Sequence, residues 1–258
     1  MVELIKQIVK RTPLAGPLRS FKSYLELQRL PDDEYRTERD DRAMAALMHE
    51  GLRADSVCID VGANTGRVLS LMLKHAPAGQ HYAFEPVPHL ADGLRRRFPQ
   101  ITVHAFALSD TEGVATFNYV VNVPGWSGLR QGSYPKPVEI QEILVEVRRL
   151  DDVIPVDLPV RFIKIDVEGA ELQALRGGLN TIRRCIPMIV FEYGEIHGMP
   201  YGTTPEVLYD YLTEECGLDV FSLIGRRPRL SRDNFATICR EATASNYARW
   251  AQGNFLAR

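Results

Sequence analysis

Short β-favouring runs alternate with helix-favouring ones through most of the chain, and that alternation leaves very few architectures open. The β-rich runs are Val57–Val61, 82–85, 103–107, 162–167 and Met188–Glu192. Helical patterns lie between and after them, at Arg67–His75, 90–98, 171–184 and 205–216. Strands interleaved with helices at this spacing predict a parallel sheet with helices on both faces. Two later runs, 220–224 and 236–239, are expected to complete the sheet. Segment 113–150 breaks the rhythm. It holds two strand-like pieces, 114–120 and 143–149, around the loop NVPGWSGLRQGSYPKP. A loop of that length serves as a lid or a substrate loop. Residues 1–50 read as a polar, helical N-terminal extension interrupted by Pro13, Pro17 and Pro31. The expected organisation is therefore an extension over 1–50 and one domain over 51–258, with 113–150 inserted.

Charge and cysteine usage exclude several function classes. The 31 basic and 33 acidic residues leave a net charge of −2, so broad electrostatic binding to nucleic acid is not expected. Cys58, Cys185, Cys216 and Cys239 are far apart and form no C-x-x-C. They suggest neither a zinc knuckle nor a redox pair, and the cytosol is the default compartment. No apolar run approaches the ~20 residues that span a bilayer. Leu4, Ile5, Ile8 and Val9 form one face of a short N-terminal helix with Lys6, Lys10 and Arg11 elsewhere. Such a face packs on the domain or on a second subunit. Peripheral contact of residues 1–27 with an acidic membrane is the alternative.

The first β-run leads directly into Gly62-Ala63-Asn64-Thr65-Gly66 and then a helical pattern. Glycines there let backbone approach a ligand. The spacing is not G-x-G-x-x-G, because Asn64 and Arg67 stand where glycines would be needed. It is D-x-G-x-N-x-G, and Asp60 ahead of the loop suits a ligand with a positive centre. The second run ends at Glu85, nineteen residues after Gly66, where a carboxylate accepts both ribose hydroxyls. The third ends in Ala107-Leu108-Ser109-Asp110, where Asp110 or nearby backbone meets an adenine edge. Together these point to an adenosyl ligand with a cationic centre.

DVGANTG, FEP, ALSD and IKIDVEGAE, in that order, resemble the FkbM-type methyltransferases over roughly residues 55–195. The resemblance implies S-adenosylmethionine as donor and a Rossmann-like class I methyltransferase fold. That fold is a seven-stranded, mostly parallel sheet whose last strand is antiparallel. It also implies donor contacts at Asp60, Gly62, Ala63, Asn64, Gly66, Glu85 and Asp110, with Asp166 at the edge of the same crevice. The substrate class it implies is a hydroxyl on a sugar, glycan intermediate or polyketide-like product.

In FIKIDVEGAE, strand alternation places Phe162, Lys164, Asp166 and Glu168 on one face. Lys164 inside a buried strand is expected to pair with Asp166 or to snorkel past the edge. Glu171 is expected to start the next helix, where the dipole favours an anion, and Gly177-Gly178 to close it. Asp166 and Glu192 stand at neighbouring strand tips, where open α/β sheets bind ligands, and His197 follows closely. Asp166, Glu192 and His197 are the candidate catalytic residues. One of them takes the acceptor's proton late in methyl transfer. Alternatively a divalent ion such as magnesium, held by Asp166 and Glu192, lowers the acceptor's pKa. Trp126, Tyr134 and Tyr201 are candidate stacking surfaces for a ring. Rival readings are N-methylation, NAD-dependent oxidoreduction and a non-catalytic adenosyl-binding protein. The oligomeric state is open, with a homo-oligomer among the expectations.

Overall fold

A computed structural model describes residues 28–241 and 253–258. The expectations for Leu4, Ile5, Ile8, Val9 and the membrane-facing segment 1–27 fall outside the described residues.

Helix α1 (Asp32–Gly51) enters the main sheet, which then builds from β1 (Val57–Val61), α2 (Arg67–His75), β2 (Tyr82–Phe84), α3 (Pro88–Arg97) and β3 (Thr102–His104). A short β4 (Ala107–Leu108) leads out of it to β5 (Gly113–Val120) and β6 (Ile140–Arg148). After the turn α4 (Leu150–Val153), the chain returns through β7 (Val160–Ile165), α5 (Glu171–Gly177), α6 (Leu179–Cys185) and β8 (Met188–Glu192). A short helix α7 (Glu195–Gly198) is followed by α8 (Pro205–Asp210), β9 (Val220–Ser222), α9 (Arg232–Glu241) and β10 (Asn254–Ala257).

The seven-stranded sheet has the order β3-β2-β1-β7-β8-β10-β9. Strand β1 is parallel to β2 and β7, and β10 is antiparallel to both β8 and β9. This is the Rossmann-like methyltransferase topology that the alternation and the resemblance implied. All five residues of β1 are buried, as a strand covered on both faces must be. One core face gathers Ile59, Ile163, Phe191 and Phe255 with Leu172, Leu175, Leu212 and Phe235 from the helices. The other gathers Cys58, Phe162, Val190 and Leu256 with Met44, Leu47 and Met48 of α1 and Leu69 and Met72 of α2. Among the described residues, no helix is long and apolar enough to cross a membrane.

Three expectations need correction. Residues 236–239 are not a strand: they lie inside α9, with Ala236 and Cys239 on its buried side. Their apolar character serves a helix face, and β10 from the far end of the chain completes the sheet. The run 171–184 holds two helices: Gly177-Gly178 closes the first, as expected, but a second follows directly. It splits at Gly178 into α5 and α6, and a Cβ on Gly177 would sit 2.0 Å from the Ser109 carbonyl oxygen. The 103–107 run divides between the main sheet and a second one. That second sheet, ordered β4-β6-β5, is what segment 113–150 becomes. Strands β5 and β6 form an antiparallel ribbon that β4 joins in parallel, and Phe117, Tyr119, Val145 and Val147 pack over Val87 and Ala107.

Candidate active site

The parallel strands β1, β2, β7 and β8 bring their carboxyl ends to one edge of the sheet, the edge where open α/β folds bind ligands. The loop after β1 is drawn tightly onto its neighbours. Gly62 and Ala63 donate backbone N–H groups to the Phe84 carbonyl at 2.9 and 3.1 Å, and Asp166 N–H donates to the Val61 carbonyl at 3.0 Å. Gly62 has φ +83°, and a Cβ there would lie 1.9 Å from the Asp166 carbonyl oxygen, so only glycine lets the two strand tips meet. Asn64 takes the left-handed conformation with φ 45°. Glu85 braces it: one carboxylate oxygen accepts from Asn64 N–H at 2.8 Å and the other from Val87 N–H at 3.0 Å.

Three adjoining clefts open at this edge. The first, about 280 Å³, is walled by Phe84, Phe106, Leu108 and Phe117, with Glu85, Asn64 and Trp126 at its sides. The second, about 310 Å³, is polar and contains Asp60, Ala63, Asn64, Lys164, Asp166, Asn254 and, from α1, Arg36 and Asp40. The third, about 320 Å³, lies between His197, Glu168, Trp126 and the loop from Arg130 to Lys136. Gly62, Asn64 and Asp166 line both the first and the second. Glu192 lines all three.

Charge is concentrated where the clefts join. Asp60 and Lys164 are register partners on adjacent strands, and both are buried. The Lys164 ammonium lies 3.3 Å from Asp166 Oδ2. Burial works against its positive charge, but Asp166, Glu192 and Asp60 outweigh that and raise its pKa. The acids respond in the opposite sense. Burial, reinforced by the Asp166 charge, lifts Glu192 to about 7. Burial also lifts Asp60 to about 7, with Lys164 opposing and Asp166 assisting. Glu168 is raised well above an ordinary carboxylate by burial and by the Asp166 and Glu192 charges. Strand alternation ends before Glu168, whose φ of 53° is left-handed, so it does not simply continue the Lys164 face. Instead it faces His197, whose Nδ1 lies 3.2 Å from Glu168 Oε2. Burial lowers the His197 pKa.

The structure thus brings together Asp60, Gly62, Ala63, Asn64, Glu85, Asp166 and Glu192, with His197 on the rim of the third cleft. It leaves two expected donor contacts apart. Gly66 borders none of the three clefts; with φ +79° it packs against Leu94 of α3 and Phe98 just beyond that helix. Asp110 accepts from Ser109 Oγ at 3.2 Å, pairs with Arg176 at 3.9 Å and faces a separate surface cleft. The neighbouring Leu108 lines the first cleft instead. Glu171 starts α5 as expected, and its Oε1 accepts from Val167 and Gly169 N–H at 3.2 Å each.

Sequence reasoning missed Arg36, Asp40 and Asn254. The charge-dense stretch 32–41 is expected from sequence to be a solvated loop or a helix start; it does start a helix, yet Asp40 is buried and its Oδ2 accepts from Asn254 Nδ2 at 3.1 Å. A signal was present: Arg36, Asp40, Met44 and Met48 recur every fourth residue, so one helical face runs from core into site.

The residues present do not fit a divalent ion. Asp166 Oδ2 is engaged by Lys164, and no group of three or more His, Cys, Asp or Glu side chains suited to a metal exists among the described residues. Magnesium keeps several waters and takes one or two carboxylates, but the Lys164 ammonium already stands against the Asp166 carboxylate it would need. A buried lysine and shared protons answer the crowding of acid instead.

Comparison with known proteins matches this architecture. Residues 60–219 fit the family model for the methyltransferase FkbM domain. The methyltransferase sdnD of Sordaria araneosa is 27% identical in an alignment 202 positions long that covers 66% of this chain and 76% of sdnD. The 2-O-methyltransferase NoeI of Sinorhizobium fredii is 30% identical over 154 residues, covering 51% of this chain and 61% of NoeI. A solved FkbM methyltransferase from Methylobacillus flagellatus aligns with 95% of this chain and 60% of its own, at 19% identity and a TM-score of 0.49. With the family model covering well over half of its length, the chain belongs to the FkbM methyltransferase domain family.

Proposed function

We propose that the protein is an S-adenosylmethionine-dependent O-methyltransferase acting on a hydroxylated small molecule or glycan unit. The observation that carries this reading is the junction of the three clefts at Glu192. The residues fit the donor. Asp60 Oδ2 and Asn64 Oδ1 are buried acceptors that lack a partner among the described residues, as a ligand bearing ammonium or hydroxyl donors requires. The first cleft offers aromatic and aliphatic walls of the kind a purine occupies, with the Glu85 carboxylate placed for ribose hydroxyls. The second offers Asp60 and Asp166 to a cationic end. When bound, S-adenosylmethionine supplies a methyl group already activated by its positive sulphur.

The chain's task is then alignment and proton removal. An acceptor in the third cleft has its hydroxyl directed to the junction, and a Glu192 carboxylate oxygen takes the proton. A free carboxylate is a poor base for an alcohol with a pKa of roughly 15–16. Burial raises Glu192 from 4.5 to about 7, which narrows that gap by roughly 3 kcal/mol. The gap that remains is still about 12 kcal/mol, so the proton moves late, as the methyl group transfers. The Glu168–His197 pair borders the same cleft and positions the acceptor. The 2-O-methyl transfer in the name of NoeI supports oxygen as the accepting atom.

The test is incubation with methyl-labelled donor and a panel of hydroxylated and aminated acceptors, with products read by mass. Label on oxygen supports the reading. Label confined to nitrogen, or failure of the chain to bind donor in calorimetry, overturns it. Exhaustive chelation is expected to leave turnover unchanged, and a loss restored by magnesium would restore the metal alternative.

A further inference from the structure

The third cleft carries a charge gradient that proton removal does not use. Its inner end holds the acids Glu168 and Glu192, with the Arg36 charge acting on Glu192, and its outer end holds Arg130 and Lys136, both exposed. Many arginines of the described surface have acidic partners, as in Arg148–Glu146, Arg183–Glu215 and Arg232–Asp210, although Arg96, Arg97 and Arg184 are not among them. Arg130 and Lys136 have none among the described residues. The Arg130 guanidinium carbon lies 5.8 Å from the centre of the Tyr201 ring, and Lys136 Nζ lies 5.4 Å from that of Trp126. Their loop is anchored: Arg130 N–H donates to Tyr201 Oη at 2.9 Å, and Gly132 N–H to Tyr134 Oη at 3.3 Å. Between the two ends, Trp126 and Tyr134 stack with centroids 6.0 Å apart and planes 15° from parallel. Both rings are half-buried, and the part of each that remains accessible forms a wall of the cleft.

We propose that the acceptor is a hydroxylated ring bearing a carboxylate or phosphate. Its ring lies on the Trp126–Tyr134 wall, its anion between Arg130 and Lys136, and its hydroxyl at Glu192. This rests on the methyl-transfer reading of the cleft. The gradient supplies the orientation. An anion is attracted to the rim by Arg130 and Lys136, while Glu192, once ionised, disfavours it at the junction, so the uncharged hydroxyl end enters. Two cations poised over aromatic faces, on a loop already held by two tyrosine hydroxyls, lose little freedom when the anion arrives. At about 320 Å³ the cleft suits one sugar or aromatic ring.

The test uses the full chain saturated with S-adenosylhomocysteine and calorimetric titration of matched ligands. These are glucuronate and glucose 6-phosphate against methyl glucoside, and 3,4-dihydroxybenzoate against catechol. At least one anionic member is expected to bind about tenfold more tightly than its neutral counterpart, and that preference to shrink as salt rises. The two sugar anions separate carboxylate from phosphate, and the benzoate separates an aromatic from a saturated ring. The double variant R130Q/K136Q is expected to bring anionic and neutral members within about twofold while S-adenosylhomocysteine binds as before. Equal binding of both classes, no binding of any anionic member up to about 10 mM, or a preference that survives in the double variant overturns the proposal. Failure of S-adenosylhomocysteine to bind the unaltered chain defeats the methyl-transfer reading itself, which is a separate result.

Discussion

At the scale of single residues, Glu192 and Asp60 have the same kind of side chain and a pKa near 7, yet different tasks. Glu192 borders all three clefts, whereas Asp60 lies at the floor of the polar one. Glu192→Gln is therefore expected to slow turnover by about 10²-fold or more while donor binding in calorimetry changes only a few-fold. Turnover of the unaltered chain should rise with pH through about 7 as Glu192 loses its proton, and that limb should vanish in the glutamine variant. A pH–rate profile of both proteins checks the sign. Asp60→Ala and Glu85→Ala should act on donor affinity instead, each weakening it by about 1.5–3 kcal/mol in calorimetry. Unchanged binding in both would remove the donor-cleft assignment. Of these residues, the sequence alone exposed Asp60, Glu85, Asp166 and Glu192, because each follows or ends an apolar strand run. Position at a strand tip is a local property. Asp110 misled for the same reason: it also follows a β-run, but that run divides, and the carboxylate turns to Ser109 and Arg176.

At the scale of elements, the strand-to-loop turn after β1 sets the geometry of the first two clefts. Gly62→Ala places a methyl group 1.9 Å from the Asp166 carbonyl oxygen on a backbone of φ +83°. Strain and steric conflict together should cost about 2–4 kcal/mol, read as a lowered midpoint in thermal or denaturant unfolding. A stability equal to that of the unaltered chain would mean that β1 and β7 do not meet this closely. The second sheet shows how far element-level reading extends. Both strands of segment 113–150 were legible as β-favouring pieces, but not that they would pair with each other over eight residues in a separate sheet. That Trp126 and Tyr134 would stack, and that the loop would face Glu168 and His197, was not legible. Loop residues have no period from which direction can be read. The split of the 171–184 run at Gly178 was half-visible: the glycine pair signalled an end, but continued helix-favouring residues on its far side concealed it.

At the scale of the whole molecule, buried acids link the site to global stability. Glu171 is buried at the base of the loop carrying Glu168, and burial raises its pKa from 4.5 to about 7. Below 4.5 the folded and unfolded chains both hold its proton. As pH rises towards 7 the unfolded chain releases that proton first, and stability falls. Relative to Glu171→Gln, which cannot titrate, the unaltered protein should lose about 2 kcal/mol between about pH 5 and about pH 8. Unfolding of both proteins at the two pH values measures the difference, and a constant offset would show that Glu171 is not held protonated. The sequence by itself determined the parallel sheet, the crevice at its carboxyl edge and the acids at the strand tips, because periodicity and strand-end position are properties of neighbouring residues. Only the tertiary structure decided that Arg36 and Asp40 from one end of the chain and Asn254 from the other close the polar cleft. It alone drew Asp60 and Glu192 around the Lys164–Asp166 pair that the sequence led one to expect, and set two cations at the mouth opposite Glu192. The physical reason is the same in each case. Those groups are held by contacts between segments far apart in the chain, and their charges become strong only when packing removes the water between them.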